Sequence, residues 1–271
     1  MESLSYIIIV LAIGIFTGIA TGLTGASGVM VVVPLSNLLL GLSVHDAIGT
    51  SLMADVIASC AVSYTYYKHG NTDIKSGLWV ALGSIFGAQV SAGFAVAIPE
   101  NGLGMLFGGG MIITSIIMAK RGTGEVTEGY GGSGFFKFKS DTMRYAMATF
   151  LGYLLGTMTG IFGSGGGIMI FLVLFFILKF PVKKAIGTST MIMAITATSG
   201  CLGYAAHGKI NVTVGLLIGL SAVVGGSISA RVANRVDEKY LLWTLVILFV
   251  ILGIIMTTVG FAKFNQLYNF L

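Results

Sequence analysis

The chain contains one long segment twice. Residues 18–92 match residues 156–230 at a constant offset of 138 residues, with no gap in either copy. The run AIGTS at residues 47–51 returns unchanged at residues 185–189. Both copies are hydrophobic, and a hydrophobic chain built from two related halves is typical of membrane transporters that work by alternating access.

The composition indicates that lipid is the solvent for most of the chain. Apolar residues make up 55% of the 271 residues and charged residues only 9%, whereas soluble domains carry about 25% charged residues. The net charge of +5 is not concentrated in basic runs with interleaved aromatic residues, so nucleic-acid binding is not expected. Cys60 and Cys201 lie in apolar segments without His or Cys at ligand spacing, which predicts two buried thiols and neither a disulfide nor a metal site.

Ten apolar segments are separated by polar residues, five in each half. Most approach the roughly 20 residues that a helix needs to cross the hydrocarbon core. The second segment of each half is shorter and forms about 21 Å of helix, against a core of about 30 Å. The first segment belongs to the repeat unit, so it is not expected to be a cleaved signal peptide. The segments are 4–22, 29–42, 51–67, 76–98, 103–119, 143–162, 167–180, 188–206, 211–230 and 240–260.

The distribution of Lys and Arg favours a topology in which all ten segments cross the membrane. With ten crossings, 13 of the 15 Lys and Arg residues fall on one side and 2 on the other, whereas without the short segments the split is 9 against 6. A strong excess of this kind marks the cytoplasmic side. We therefore predict a protein of the cell membrane with both termini outside, a first repeat (1–119), a cytoplasmic linker (120–142) and a second repeat (143–271).

Five crossings per repeat is an odd number, so the second half enters the membrane upside down relative to the first. The predicted fold is an all-α membrane protein of about ten helices, arranged as a 5+5 inverted repeat with its pseudo-two-fold axis in the membrane plane. Small residues at four-residue spacing, such as Gly14, Gly18 and Gly22, are interpreted as close helix packing rather than as ligand contacts.

A glycine-rich break separates the first and second segments of each half. The first break, residues 24–28, reads TGASG, and the second break, residues 163–167, reads GSGGG. Irregular backbone at membrane depth must be satisfied by protein or by a wet cavity. Each break is therefore expected to place a helix N-terminus, with its free N–H groups, inside the protein. The alternative interpretation is that these glycines only permit sharp turns.

The AIGTS run opens the third segment of each half and adds hydroxyl groups near a second helix start. N–H groups, hydroxyls and helix N-termini without fixed cations suit a small anion. The inverted symmetry places the break of one half on the same side as the AIGTS run of the other. No catalytic residue, metal or cofactor is expected. The candidate substrate-binding residues are Gly25, Ser27, Gly28, Thr50, Ser51, Gly163, Ser164, Gly165, Gly166, Thr188 and Ser189.

Asp55 is the only carboxylate well inside an apolar segment, and its counterpart in the second half is Met193. An ionisable residue at membrane depth is a functional hypothesis by default. Two interpretations stay open. Asp55 either carries a coupling ion, a proton or sodium, or serves as a hydrogen-bonding structural residue beside a wet cavity.

The runs GLTGASG and GIFGSGGG, each after a first apolar helix and each followed by AIGTS, resemble the sulfite exporter TauE/SafE family over residues 5–260. The resemblance implies transport, often export, of a small sulfur-containing anion such as sulfite, sulfoacetate, another organosulfonate or thiosulfate. Ser27 stands at a glycine position of the pattern, where it adds a hydroxyl or narrows the site. The pattern falls on Gly25, Ser27, Gly28, Thr50 and Ser51, and on Gly163, Gly165, Gly166, Thr188 and Ser189.

These observations favour a secondary transporter of a small sulfur-containing anion, embedded in the lipid bilayer, with no nucleic-acid partner and with a homodimer left open. A passive anion channel, or a transporter of another small carboxylate or oxyanion, is the alternative. An intramembrane serine protease is not favoured, although residues 25–28 match its GxSG pattern, because no histidine is expected near Ser27 to act as its base. A nucleotide-driven pump is excluded because no phosphate-binding loop with a following Lys is present.

Overall fold

The computed structural model describes residues 2–95, 141–162, 166–178 and 180–237, together with scattered residues of 112–119 and 239–258. Within these ranges the chain forms helices and no strand, so the all-α prediction is confirmed for the described part. A π-helical stretch, Val173–Ile177, follows directly on the α-helix Gly167–Leu172. The helices are α1 (Glu2–Thr24), α2 (Val29–Leu39), α3 (Val44–Lys68), α4 (Ile74–Ala95), α5 (Asp141–Phe162), α6 (Gly167–Leu172), α7 (Val182–Ala206) and α8 (Val212–Arg235).

Among the described residues, four stretches of helix are long and apolar enough to cross a membrane: Leu4–Thr24, His45–Lys68, Val182–Ala206 and Val212–Arg235. The bundle also exposes large apolar side chains, including Phe16, Phe86 and Leu220, as a surface in contact with lipid requires. The chain is therefore an α-helical membrane protein. The number of ten crossings stays a prediction, since much of segments 103–119 and 240–260 lies outside the described residues.

The third segment of each half begins earlier than predicted. α3 starts at Val44 rather than at residue 51, because Ser43 caps it by accepting a hydrogen bond of 3.1 Å from Asp46 N. α7 starts at Val182 rather than at residue 188, directly after Pro181, whose ψ of 148° is not helical. The AIGTS runs consequently lie within the first two turns of α3 and α7 and do not mark the helix starts.

The prediction of two buried thiols is wrong, because Cys60 is exposed and Cys201 is only partly buried. Both residues lie on helices whose outer faces are apolar. Lipid solvates an apolar side chain about as well as a protein core does. Hydrophobicity of the surrounding segment therefore does not distinguish a core-facing from a lipid-facing cysteine.

Helices α1, α3 and α8 are parallel. For each contacting pair, residues of increasing number in one helix contact residues of increasing number in the other. Glycine makes these contacts close: a Cβ at Gly18 would lie 2.7 Å from Gly226 N. The α1–α8 contacts are Gly14 with Ile218, Gly18 with Ala222 and Gly22 with Ser229. The α3–α8 contacts are Met53 with Gly215, Ile57 with Gly219 and Val62 with Gly226.

Helices α4, α5 and α7 form a second parallel group, and this group runs opposite to the first. The α4–α5 contacts are Val80 with Gly152 and Ser84 with Gly156. The α4–α7 contacts are Gly77 with Thr188, Ser84 with Thr196 and Gln89 with Ser199. Between the groups, Leu52 meets Gly200 and Tyr66 meets Gly187, so α3 and α7 are antiparallel. Each of α1, α3 and α4 therefore runs opposite to its counterpart α5, α7 or α8.

The short helix α2 lies alongside the first half of α1. Because α1 and α3 are parallel, residues 25–43 must bring the chain back to the level at which α1 began. α2 has 11 residues, which is about 16 Å of helix, so it covers only part of that distance. Its Val32 packs in one buried cluster with Val10, Ile13 and Ala54. The return path therefore starts deep inside the bundle, at the first glycine break.

Candidate functional site

The first glycine break reverses the chain at the end of α1. Gly25 N donates to Thr21 O at 2.8 Å, and Gly25 then adopts a left-handed φ of +67°, which ends the helix as glycine commonly does. The hydroxyl of Thr24 donates to Ala20 O at 2.8 Å and accepts from Ala26 N at 2.9 Å. Ala26 and Ser27 are buried, so the turn is enclosed by protein.

The break places the N-terminus of α2 at the middle depth of the bundle. A Cβ built on Gly28 would overlap the Thr17 methyl group and lie 2.9 Å from Asp55 Oδ1. Thr17 lies within α1 and Asp55 near the centre of α3, and both are fully buried. The N–H groups at the start of α2, which no earlier helical turn can accept from, therefore point into the protein interior rather than toward either end of the bundle.

The Asp55 carboxyl group occupies this helix N-terminus. Gly28 N donates to Asp55 Oδ1 at 2.8 Å, and the Ser27 hydroxyl donates to Asp55 Oδ2. Ser27 Oγ also accepts from Val29 N at 3.2 Å. An acidic group at this position is stabilised by the N–H groups and by the partial positive charge of the helix end. Sequence analysis singled out both Asp55 and the break, but it did not predict that one binds the other.

The second glycine break packs directly against the first. Gly166 has a left-handed φ of +69° and precedes α6. A Cβ on Gly167 would overlap Gly25 O and lie 2.8 Å from Ser27 N and 2.7 Å from Met193 Sδ. The two breaks therefore meet at the centre of the bundle with only backbone between them. Gly163, Ser164 and Gly165, also predicted as site residues, lie outside the described residues.

The AIGTS runs contact the hairpin loop of the opposite half. Thr50 Oγ1 accepts from Asn211 N at 2.9 Å, and Thr188 Oγ1 accepts from Asp73 N at 2.9 Å. The glycine before each threonine lets the carbonyl of that loop, Lys209 O or Asn71 O, touch the helix. These two threonine hydroxyls thus hold loops at the bundle ends, and the structure does not direct them to the glycine breaks.

The serines of the two AIGTS runs differ in their hydrogen bonding. Ser189 Oγ donates to Ile186 O at 2.9 Å and lies 2.5 Å from the position of a Cβ on Gly25. The break of the first half therefore touches the AIGTS run of the second. Ser51 is fully buried, and its hydroxyl has no hydrogen-bond partner in the described part of the chain. It lies one helical turn before Asp55, on the same face of α3.

Buried hydroxyls without partners concentrate in the first half. Besides Ser51 they are those of Thr17, Thr21, Ser36 and Thr72 among the described residues. Buried polar groups are almost always hydrogen-bonded, so such groups call for water or a ligand. The counterparts of Thr17 and Ser36 are Leu155 and Leu174. Sequence reasoning missed Thr17, and its difference from Leu155 was the available signal.

Gly25 and Gly41 provide a matched pair of substitutions, because both have φ +67°. A Cβ on Gly41 meets nothing within 4 Å, whereas one on Gly25 meets Ser189 Oγ at 2.5 Å. We expect Gly41→Ala to lower the free energy of unfolding by about 1 kcal/mol and Gly25→Ala by about 3 kcal/mol. Unfolding in detergent is the measurement. Adding Ser189→Ala to Gly25→Ala should restore part of the loss, and equal effects of the two single variants would contradict this packing.

The fold and its centre define a class: an α-helical membrane protein whose two oppositely oriented halves meet at paired backbone breaks, as transporters are built. The family model described as "Sulfite exporter TauE/SafE" matches residues 10–256. The chain belongs to this family.

The relatives support the same class. YdhB of Bacillus subtilis is 28% identical over 233 residues, which cover 83% of this chain and 89% of the relative. YunE of the same organism is 25% identical, covering 92% and 96%, and MJ0441 of Methanocaldococcus jannaschii is 23% identical, covering 94% and 97%. All three are called probable membrane transporter proteins. No solved structure matches the chain. The protein is a membrane transporter rather than an enzyme.

Proposed function

We propose that the protein is a secondary transporter, working as an exporter, of a small sulfur-containing anion such as sulfite, sulfoacetate or another organosulfonate. The observation that carries the proposal is the meeting of the two breaks at the centre of the bundle. There, helix N–H groups and hydroxyls are buried, and none of the described Lys and Arg residues lies beside them. Such a site holds an anion by dipoles, which allows release on the other side. The family description supports sulfur chemistry.

We further propose alternating access by a 5+5 inverted repeat in the cell membrane. The opposite directions of α1 and α5, α3 and α7, and α4 and α8 support the inversion. The directions also support cytoplasmic placement of one end of the bundle, because most described basic residues lie there and only Lys209 lies at the other end. The residues at the basic end are Lys68, Lys75, Arg144, Lys183, Lys184, Arg231, Arg235 and Lys239. The 120–142 linker and both termini outside the cell stay predictions.

We assign the anion contacts to the break residues Gly25, Ser27, Gly28 and Gly166 and to the hydroxyls of Ser51 and Ser189. Gly163, Ser164 and Gly165 complete the set on sequence grounds. Thr50 and Thr188 contribute differently: they fix the hairpin loops and so set the positions of the neighbouring serines. Ser51 supports the assignment most directly, because its buried hydroxyl has no hydrogen-bond partner among the residues that the structure describes.

A thermal-shift panel of sulfite, sulfate, thiosulfate, sulfoacetate and taurine tests the proposal. An anion at about 100 times its Kd stabilises the protein by about 2.7 kcal/mol. Loss of one hydrogen bond to a charged ligand costs about 1.5–3 kcal/mol, so Ser51→Ala and Ser189→Ala should each weaken binding by at least tenfold. Ser229→Ala, a buried serine in the α1–α8 contact, is the control and should bind normally. If no sulfur anion stabilises the protein, the substrate assignment is overturned.

Transport in proteoliposomes separates the transporter from a passive channel with the same lining. A transporter accumulates the anion against its own gradient when a coupling gradient is imposed, and it shows counterflow. A channel only equilibrates the anion. If carboxylates or other oxyanions bind and sulfur anions do not, the transporter class is kept and the substrate is reassigned.

A further inference from the structure

The N-terminus of α2 already holds an anionic group of the protein itself. Asp55 accepts from Gly28 N at 2.8 Å and from the Ser27 hydroxyl. Two unit negative charges about 4 Å apart repel each other by about 4 kcal/mol at an effective dielectric constant of 20. A transported anion and an ionised Asp55 therefore cannot both use this helix end.

Two buried hydroxyl groups near Asp55 are available to a ligand. The Thr17 side chain packs directly on Gly28, and its hydroxyl is fully buried without a hydrogen-bond partner in the described part of the chain. Ser51, one turn before Asp55 on α3, is also fully buried, and its hydroxyl has no hydrogen-bond partner in the described part of the chain. The structure thus has two buried donors near the helix end that Asp55 does not use.

Among the described residues, no charged side chain of a neighbouring helix pairs with Asp55. Residues 3–24 of α1, all of α2 and residues 212–230 of α8 contain no Asp, Glu, His, Lys or Arg. Met193 faces the break from α7, whose Lys183 and Lys184 lie at its start. On α3 itself, His45 and Asp46 lie at the start and Lys68 at the end. A proton is therefore the simplest means of removing the charge of Asp55.

We propose that Asp55 and the transported anion compete for the N-terminus of α2, so that the anion binds when Asp55 takes up a proton. The inference rests on the proposed function and adds its coupling: one proton is bound and released with each anion. A dianion then leaves the cell with one net negative charge, and the inside-negative membrane potential drives that charge outward. The proton adds to a carboxylate oxygen, and the anion then accepts from Gly28 N–H and from the free hydroxyls. On release the anion departs, and Asp55 loses its proton and binds the helix end again.

A proton fits the geometry of Asp55 better than a sodium ion does. Both carboxylate oxygens contact donors, the Gly28 N–H and the Ser27 O–H, whereas a hard cation needs several oxygen ligands directed at it. The second half has no equivalent group, because Met193 stands in place of Asp55. Coupling is thus a property of the first half alone.

The pH dependence of anion affinity tests the inference. Thiosulfate and sulfoacetate are the probes because both stay fully ionised between about pH 5.5 and pH 8. Once Asp55 ionises, each further pH unit should raise the apparent Kd about tenfold in the wild type. Asp55→Asn imitates the protonated carboxyl and should bind with an affinity that does not change with pH. Asp46→Asn, a carboxyl at the start of the same helix, should behave as the wild type.

Proton uptake and the variant Thr17→Val provide two further tests of the competition between Asp55 and the anion. In weak buffer, at a pH at which Asp55 is ionised in the free protein, the wild type should take up one proton per anion bound, and this test needs no variant. Thr17→Val should leave the unliganded protein as stable as before but weaken anion binding about tenfold. The inference is overturned, and the proposed function is kept, if anion binding by the wild type is independent of pH or if binding by Asp55→Asn depends on pH equally. Binding that requires sodium at constant pH has the same consequence. Absence of binding by any sulfur anion overturns the proposed function and the inference with it.

Discussion

Replacing Gly167 by Ala should abolish the folded transporter. The added Cβ would overlap Gly25 O and lie 2.8 Å from Ser27 N, and both are backbone atoms of the opposite break. They cannot move aside without separating the two halves at the centre of the bundle. Overpacking of cores usually costs about 1–3 kcal/mol. Here the cost should be at the upper end or beyond, because no flexible side chain can yield.

Size-exclusion profile and thermal unfolding in detergent measure this effect. Gly200→Ala is the matched control in α7, because its Cβ would meet the two methyl groups of Leu52, Cδ1 at 3.3 Å and Cδ2 at 3.7 Å, at the end of a flexible side chain. Alanine also has a better helix propensity than glycine by about 1 kcal/mol, so this control should be neutral or stabilising. A Gly167→Ala protein that is monodisperse and as stable as Gly200→Ala would show that the two breaks do not touch.

Asp55→Ala should lower the free energy of unfolding by about 3 kcal/mol. The substitution leaves Gly28 N–H without its acceptor and removes the acceptor of the Ser27 hydroxyl, and each buried unpaired group costs about 1–3 kcal/mol. Asp55→Asn keeps an oxygen that can accept from Gly28 N, so its loss should be about 1 kcal/mol. Thermal unfolding without added anion compares the two.

Asp46→Ala serves as the control for removing a carboxyl from α3. Asp46 lies in the first turn of α3, and its Oδ2 accepts a hydrogen bond of 2.5 Å from Ser43 Oγ. Solvent can replace this bond when the carboxyl group is removed. Asp46→Ala should therefore lower the free energy of unfolding by less than Asp55→Ala does. If Asp55→Ala and Asp46→Ala proved equally mild, the carboxyl at the N-terminus of α2 would contribute nothing to the fold. The pairing of Asp55 with Gly28 would then need revision.

Much of the architecture follows from the repeat and the charges. The offset of 138 residues and the odd number of segments per half predict opposite orientations, and the described helices run in opposite directions in the two halves. The helix starts were harder to predict because hydropathy changes only after the first turns. The starts at Val44 and Val182 are fixed by Ser43 and Pro181, which are local signals that an apolar window does not include.

The centre of the site was only partly predictable. The glycines, Ser27 and Asp55 were recognisable as unusual residues at membrane depth. Their contact joins positions 27 residues apart in the chain and depends on how far α2 returns along α1, which no local pattern encodes. The roles of Thr50 and Thr188 were also hidden, because their partners are the loop residues Asn211 and Asp73 of the other half.

The exchange of loop contacts between the halves has a consequence for the order of assembly during synthesis. Thr188 meets Asp73, which lies 115 residues earlier in the chain, so its partner is already in the membrane when α7 emerges. Thr50 meets Asn211, which follows 161 residues later. The third helix of the first half must therefore wait, with its loop-binding surface uncovered, until about half of the second repeat, residues 143–211, has been synthesised. Premature chain termination before residue 211 should leave a first half that is inserted but exposed to membrane quality control.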